Sequence, residues 1–130
     1  NIFSFNSRLD NYINYKDQLF LKDNEKSFVK NAKNILNKYE CIQLFTNDVT
    51  MLYLLRKPNC TKFYFPITIG SEKNQNFLIN ELKVVNIILT DDDTSEFSPY
   101  HKLPLVRQYI KENYSILYKE DKWTILEIKK

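Results

Sequence analysis

The sequence predicts an α/β fold: a three-layer sandwich around a mainly parallel, Rossmann-like sheet, with an antiparallel hairpin at its carboxyl-terminal edge. Three observations lead there. Short runs of β-favouring residues alternate with amphipathic segments of helical length between Asp23 and Asn113, which calls for right-handed crossovers between parallel strands. The block from Cys41 to Gly70 reads as strand, helix, strand, with a cysteine opening each strand. Near the carboxyl terminus, Ser115 to Tyr118 and Trp123 to Ile128 are extended runs separated by the polar Lys119-Glu120-Asp121-Lys122, the pattern of a hairpin.

Residues 1–22 show no sustained period and read as an extended lead-in wrapping the surface, with a short strand or turn near Leu19 to Leu21. Residues 23–130 are expected to form one α/β domain. From Asp23, a good N-cap, Phe28, Ala32, Ile35, Leu36 and Tyr39 recur at three- and four-residue steps and mark a helix to about Lys38. Cys41 to Thr46 is the first strand. Asn47 closes it and caps a helix over Asp48 to Arg56, which puts Asp48 in the first turn, where the helix dipole favours a carboxylate.

Pro58 stops that helix, and Thr61 to Ile69, with Phe63, Tyr64 and Phe65, reads as a second strand covered on both faces. Gly70 breaks the chain, and Ser71 is placed to cap a helix through Lys83 that buries Phe77, Leu78 and Leu82. Val84 to Thr90 is the third strand and Asp91 to Tyr100 an acidic loop. Leu103, Val106, Tyr109 and Ile110 then trace a helix with Pro104 in its first turn, where a missing N–H costs nothing. The expected strand order is 3-2-1-4-5, with the last strand antiparallel at the edge. A ligand crevice would then lie over the carboxyl end of the first strand, lined by Asn47, Asp48, Ser71, Asp91 and His101.

A chain of 130 residues with 43% hydrophobic content, nine Tyr and nine Phe has the material for one core, and burial of roughly two thirds of its unfolded surface is expected at this length. The single glycine excludes glycine-rich phosphate loops. The net charge of +3 is spread along the chain, so no nucleic-acid partner is expected. Apolar runs such as Ile87-Ile88-Leu89 fall far short of the ~20 residues that span a bilayer, so these residues are expected to be soluble. Since the chain starts at Asn1 and Met51 is its only methionine, an upstream portion is expected: a signal peptide, a truncated stretch or a membrane region.

Cys41 and Cys60 open strands expected to be adjacent, and strands about 4.8 Å apart allow a disulfide geometrically. The alternative is two buried free thiols; a bridge would imply an oxidising compartment. Asp91-Asp92-Asp93 follows a strand as the metal-binding acidic motif of A-type glycosyltransferases does, but acidic triplets after strands are commonly just solvated, and His101 is the only histidine. No metal and no cofactor is therefore expected. No serine–histidine or cysteine–histidine pair is argued by spacing. Asn59-Cys60-Thr61 and Asn113-Tyr114-Ser115 match the glycosylation sequon, which matters only in a eukaryotic secretory setting.

Over about Asn24 to Leu89 the chain resembles the C-terminal soluble domain of bacterial polytopic membrane proteins related to C-type glycosyltransferases. The resemblance is carried by Cys41-Ile42-Gln43-Leu44-Phe45-Thr46, Asp48, Tyr53-Leu54-Leu55, Lys57-Pro58, Cys60-Thr61-Lys62-Phe63-Tyr64-Phe65 and Lys73-Asn74-Gln75, and by the aromatic-bearing last strand from Trp123 to Ile128. It implies an upstream multi-helix membrane portion that uses lipid-linked sugar donors and carries the catalytic acid. It also implies a non-catalytic domain on the periplasmic face that supports that portion or helps select a glycan or polymer acceptor, and it favours the Cys41–Cys60 bridge. The competing readings are a free-standing small enzyme using Asp48, Ser71, Asp91 and His101, and a periplasmic ligand-binding module.

Overall fold

Among the described residues, four strands and five helices follow from local signals that the chain carries in order. The computed structural model describes residues 21–66 and 69–130. Residues 1–20 of the lead-in expected over 1–22, with most of its strand or turn near Leu19 to Leu21, and positions 67–68 of the expected second strand lie outside the described residues. Helix α1 (Asp23–Leu36) buries Phe28, Val29, Ala32 and Leu36 along one stripe, and fully burying such a side chain stabilises the fold by roughly 1.5–3 kcal/mol. Its N-cap is Lys22, without a side-chain cap, and Asp23 begins the helix.

Strand β1 (Gln43–Phe45) is buried throughout. Helix α2 (Thr50–Leu55) ends where Arg56 turns left-handed (φ 56°) and its N–H returns to the Leu52 and Tyr53 carbonyls. Helix α3 (Glu72–Leu82) starts at Ser71, whose hydroxyl accepts the Asn74 N–H. It buries Leu78 and Leu82 as the periodicity predicts, together with Gln75, but leaves Phe77 half exposed. Strand β2 (Ile87–Asp91) follows. The acidic loop then gives way to a short helix α4 (Pro99–Lys102), capped by Ser98, and to helix α5 (Pro104–Asn113). The hairpin of β3 (Tyr114–Glu120) and β4 (Trp123–Ile128) closes the chain, with Asp121 in the left-handed region at the turn.

The sheet order is β1-β2-β4-β3. β1 pairs parallel with β2, while β2–β4 and β4–β3 are antiparallel. This corrects the expected mainly parallel, five-stranded, Rossmann-like 3-2-1-4-5 sheet in two respects. First, the segment expected as a second strand forms none among its described residues. Only an isolated parallel bridge, Ile42 to Asn59, meets the outer edge of β1. The reason lies in side chains that take up the hydrogen bonds of that edge. The Leu44 N–H donates to Asn59 Oδ1 at 2.8 Å, while Gln43 Nε2 donates to the Phe63 carbonyl at 2.9 Å and Gln43 Oε1 accepts from Thr61 Oγ1 at 2.7 Å.

Second, the last strand is not the edge. β4 lies between β2 and β3, and Ile125 pairs with Leu89 on one side and Tyr118 on the other. Trp123 and Ile125 are almost fully buried, so this strand carries the apolar content that an inner position requires.

Alternate strand residues feed cores on opposite faces. Leu44, Ile87, Leu89, Trp123 and Ile125 pack against Phe28, Val29, Ala32 and Leu36 of α1 and Met51, Leu54 and Leu55 of α2. Phe45 and Ile88 face Leu78 and Leu82 of α3 and Val106 and Ile110 of α5. The Trp123 ring stacks on Phe28 at 5.9 Å, and its indole N–H has no hydrogen-bond partner among the described residues. Asn31 Nδ2 ties α1 to the far hairpin strand by donating to Glu120 Oε1 at 2.7 Å. Cys41 and Cys60 form a disulfide with Cα atoms 5.0 Å apart, beside the Ile42–Asn59 bridge. Among the described residues, no helix is long and apolar enough to cross a membrane.

Candidate functional site

The parallel pair β1 and β2 brings two chain segments out at the same end of the sheet, and there the residues expected to line a crevice are tied mainly to backbone. Thr46, fully buried, donates its hydroxyl to Asp91 Oδ2 in a short hydrogen bond and accepts the Asp48 N–H at 3.2 Å. The other Asp91 oxygen accepts the Asp93 N–H at 3.2 Å. Asp48 Oδ1 accepts both the N–H and the hydroxyl of Thr50, which organises the start of α2. Asn47 Nδ2 donates to the Phe97 carbonyl at 2.8 Å, while its Oδ1 is buried without a partner among the described residues.

His101 is an exposed residue of α4. Its link to the cluster is electrostatic: Asp93 is held below the usual carboxylate range, chiefly by hydrogen bonds from Ser95 and more weakly by the charges of His101 and Lys122. Ser71 caps α3 through Asn74. The fold therefore joins Asn47, Asp48 and Asp91 around Thr46 and brings His101 near through Asp93. Ser71 has a separate task at a helix start.

Among the described residues, no group of three or more His, Cys, Asp or Glu is arranged to hold a metal ion. In the acidic triplet, Asp91 and Asp93 each organise the backbone two residues on, an Asx-type role. The sequon asparagines are engaged in the fold too. Asn59 bonds Leu44, Gln43 and Thr61, and Asn113 donates to the Tyr109 carbonyl at 2.8 Å.

An opening lies beside this cluster, between α5 and the hairpin. One lobe, of about 590 Å³, runs between Arg107, Gln108 and Lys111 on the helix and Ile116 and Leu126 on the hairpin. A second, of about 330 Å³, runs from Asp91 and Asp92 across Thr124 to Lys119. Tyr100, Ile116 and Leu126 belong to both, so the two form one groove with an aliphatic floor and a polar rim. Lobes of this size fall within the range of small-ligand sites.

Tyr100 stands at the junction, its ring edge-on to Phe45 at 5.5 Å. Burial raises its phenol above the ordinary range and Asp91 adds to this, while a hydrogen bond with Thr90 and the charge of Arg107 pull the other way. Arg107 and Lys111 line one lobe and Lys119 the other, which gives the groove a cationic rim. Tyr114 is spent on the core, where its hydroxyl donates to the Leu82 and Val85 carbonyls.

Sequence reasoning missed Tyr100, Arg107, Lys111, Ile116 and Lys119. A signal was present for two of them, since Arg107 and Lys111 are four residues apart and share one face of a helix. Whether that face meets solvent or a bare stretch of sheet depends on which strands the helix covers, and spacing does not contain that information. Comparison of the chain with protein-family models, with curated proteins and with solved structures finds no match.

Proposed function

We propose that this chain is a non-catalytic, extracytoplasmic domain of a membrane-bound, glycosyltransferase-like protein, and that its groove receives the acceptor glycan. The observation that carries this reading is the groove itself, with Ile116 and Leu126 as an apolar floor, Tyr100 at its centre and Arg107, Gln108, Lys111 and Lys119 around the rim. Apolar patches for sugar C–H faces, bordered by hydrogen-bond donors and cations, suit an extended polar chain that carries acidic groups.

The disulfide supports an oxidising location. A binding role is favoured over catalysis because Asp48, Ser71 and Asp91 are engaged in capping and turn contacts and do not converge on one reacting position. The resemblance of about Asn24 to Leu89 to membrane-protein soluble domains supports the membrane link and the partner, the protein's own transmembrane region.

Two measurements test the proposal. Titration of the isotope-labelled chain with neutral and acidic oligosaccharides should shift amide resonances of 107–111 and 114–119, and Arg107→Glu should abolish the shifts. Uniform silence across the sugars tried, or shifts confined to other surfaces, would remove the acceptor role. The reading frame upstream of Asn1 should encode several apolar spans of about twenty residues; a lone signal peptide would sink the membrane-protein part.

A further inference from the structure

Four of the large apolar side chains left at the surface belong to the loop after the disulfide and to α3 and its end. After the disulfide, Tyr64 is 60% and Phe65 40% exposed; on α3, Phe77 is 51% exposed, and just past that helix Val84 is 85% exposed. The Phe63 and Phe77 rings meet edge to face at 5.9 Å. Lys62 Nζ lies 4.3 Å from the Phe77 centroid and 5.3 Å from that of Phe63. Lys62 and Val84 also line one shallow concavity with Glu81, so the loop and the helix present one continuous surface. Lys73 precedes Phe77 by one turn on the same helix face, and Lys83 adjoins Val84.

Contiguous exposed apolar area of this kind marks a contact surface, and the lysines indicate what it contacts. Lysine is depleted from the cores of protein–protein interfaces, where its ammonium would lose hydration. At the headgroup level of a bilayer the same side chain is well placed: its aliphatic stem lies along apolar groups while its ammonium stays in water beside lipid phosphates. Aromatic rings favour that boundary as well.

We propose that this surface, centred on Phe77 and Lys62, rests on an anionic phospholipid bilayer. Phe77, Tyr64 and Val84 enter the headgroup region, and Lys62, Lys73 and Lys83 face lipid phosphates. The net charge of +3 acts in the same direction. The inference goes beyond the acceptor-binding role and does not depend on what occupies the groove.

The test is co-sedimentation of the 130-residue chain with vesicles of equal parts phosphatidylglycerol and phosphatidylcholine, and with phosphatidylcholine alone. Binding to the anionic vesicles, released by high salt, is expected. Lys62→Ala should lower the partition coefficient about fivefold, and Phe77→Ser about tenfold. Phe97→Ser, at a site 62% exposed on the loop before α4, should leave it unchanged. Circular dichroism confirms that each variant folds. The proposal is overturned if the wild-type chain stays in the supernatant with anionic vesicles, or if Phe77→Ser and Lys62→Ala bind as well as wild type. It is equally overturned if the surface proves to join two copies, seen as a dimer that Phe77→Ser dissociates in the absence of vesicle binding.

Discussion

At the β1 edge of the sheet the Leu44 N–H is taken by the Asn59 side chain and the Cys41–Cys60 disulfide holds the adjoining segment in place, whereas at the β3 edge Ile116 is 65% and Leu117 39% exposed. Both are ends of one four-stranded sheet. Free strand edges invite pairing with other chains unless something covers them. This chain closes one edge with short-range polar contacts and a covalent link, and leaves beside the other a floor for a groove. The β1 edge therefore bears on stability, and the β3 edge on the glycan binding proposed for the groove.

The largest effect that would break this contrast is loss of the disulfide. Closing a loop of 19 residues stabilises by about 3 kcal/mol, so Cys41→Ser with Cys60→Ser should lower the urea-unfolding free energy by about that amount. The same denaturation run under reducing conditions should reproduce the loss. Next comes Asn59→Ala, which leaves the Leu44 N–H and the Gln43 amide short of partners. A cost of about 2 kcal/mol is expected for the unsatisfied groups. If stability is unchanged, side chains are not what finishes this edge.

A smaller effect is pH-dependent. Tyr39 donates to Glu127 Oε1 at 2.7 Å, and that hydrogen bond, with desolvation and the Glu127 charge, pushes its phenol up to about 12 from 10.0. The folded value is raised, so its contribution is fully present below about pH 10 and is lost as pH climbs through about 12. The site is mostly solvated, so about 1 kcal/mol at most is expected after screening. Tyr39→Phe should flatten the stability profile across that window; an equally steep decline in the variant would assign the loss to other groups. The smallest change in stability belongs to the open edge. Ile116→Ser should shift unfolding by no more than about 0.5 kcal/mol, yet weaken oligosaccharide binding in the groove by calorimetry.

The helices were the most legible part of the fold. The spacing of Phe28, Ala32 and Leu36, the Ser71 cap and Pro104 in a first turn place α1, α3 and α5 within a few residues of where they lie. The hairpin around Asp121-Lys122 was legible as well. The run from Thr61 to Ile69 was misleading because β-propensity measures how well a side chain suits a pleated, half-buried surface. It says nothing of competitors for the hydrogen bonds of the neighbouring edge, and here Asn59, Gln43 and Thr61 are those competitors.

Sheet order went wrong for a related reason. The apolar content of β4 suits an inner strand, but the hairpin was placed by chain order. At the strand ends, sequence brought forward Asp48 and Asp91, each of which hydrogen-bonds Thr46. It could not bring forward a groove whose walls come from α5 and from the hairpin, elements that chain order does not place side by side.

Trp123 is the only tryptophan in the chain. Its ring is stacked on Phe28 and only 1% exposed, on the inner strand β4 between β2 and β3. The molecule thus carries its own optical reporter: near-ultraviolet excitation interrogates a single indole that senses whether α1 is seated on the sheet. Emission should sit at short wavelength in the native chain and move red when that packing opens, with no label to attach.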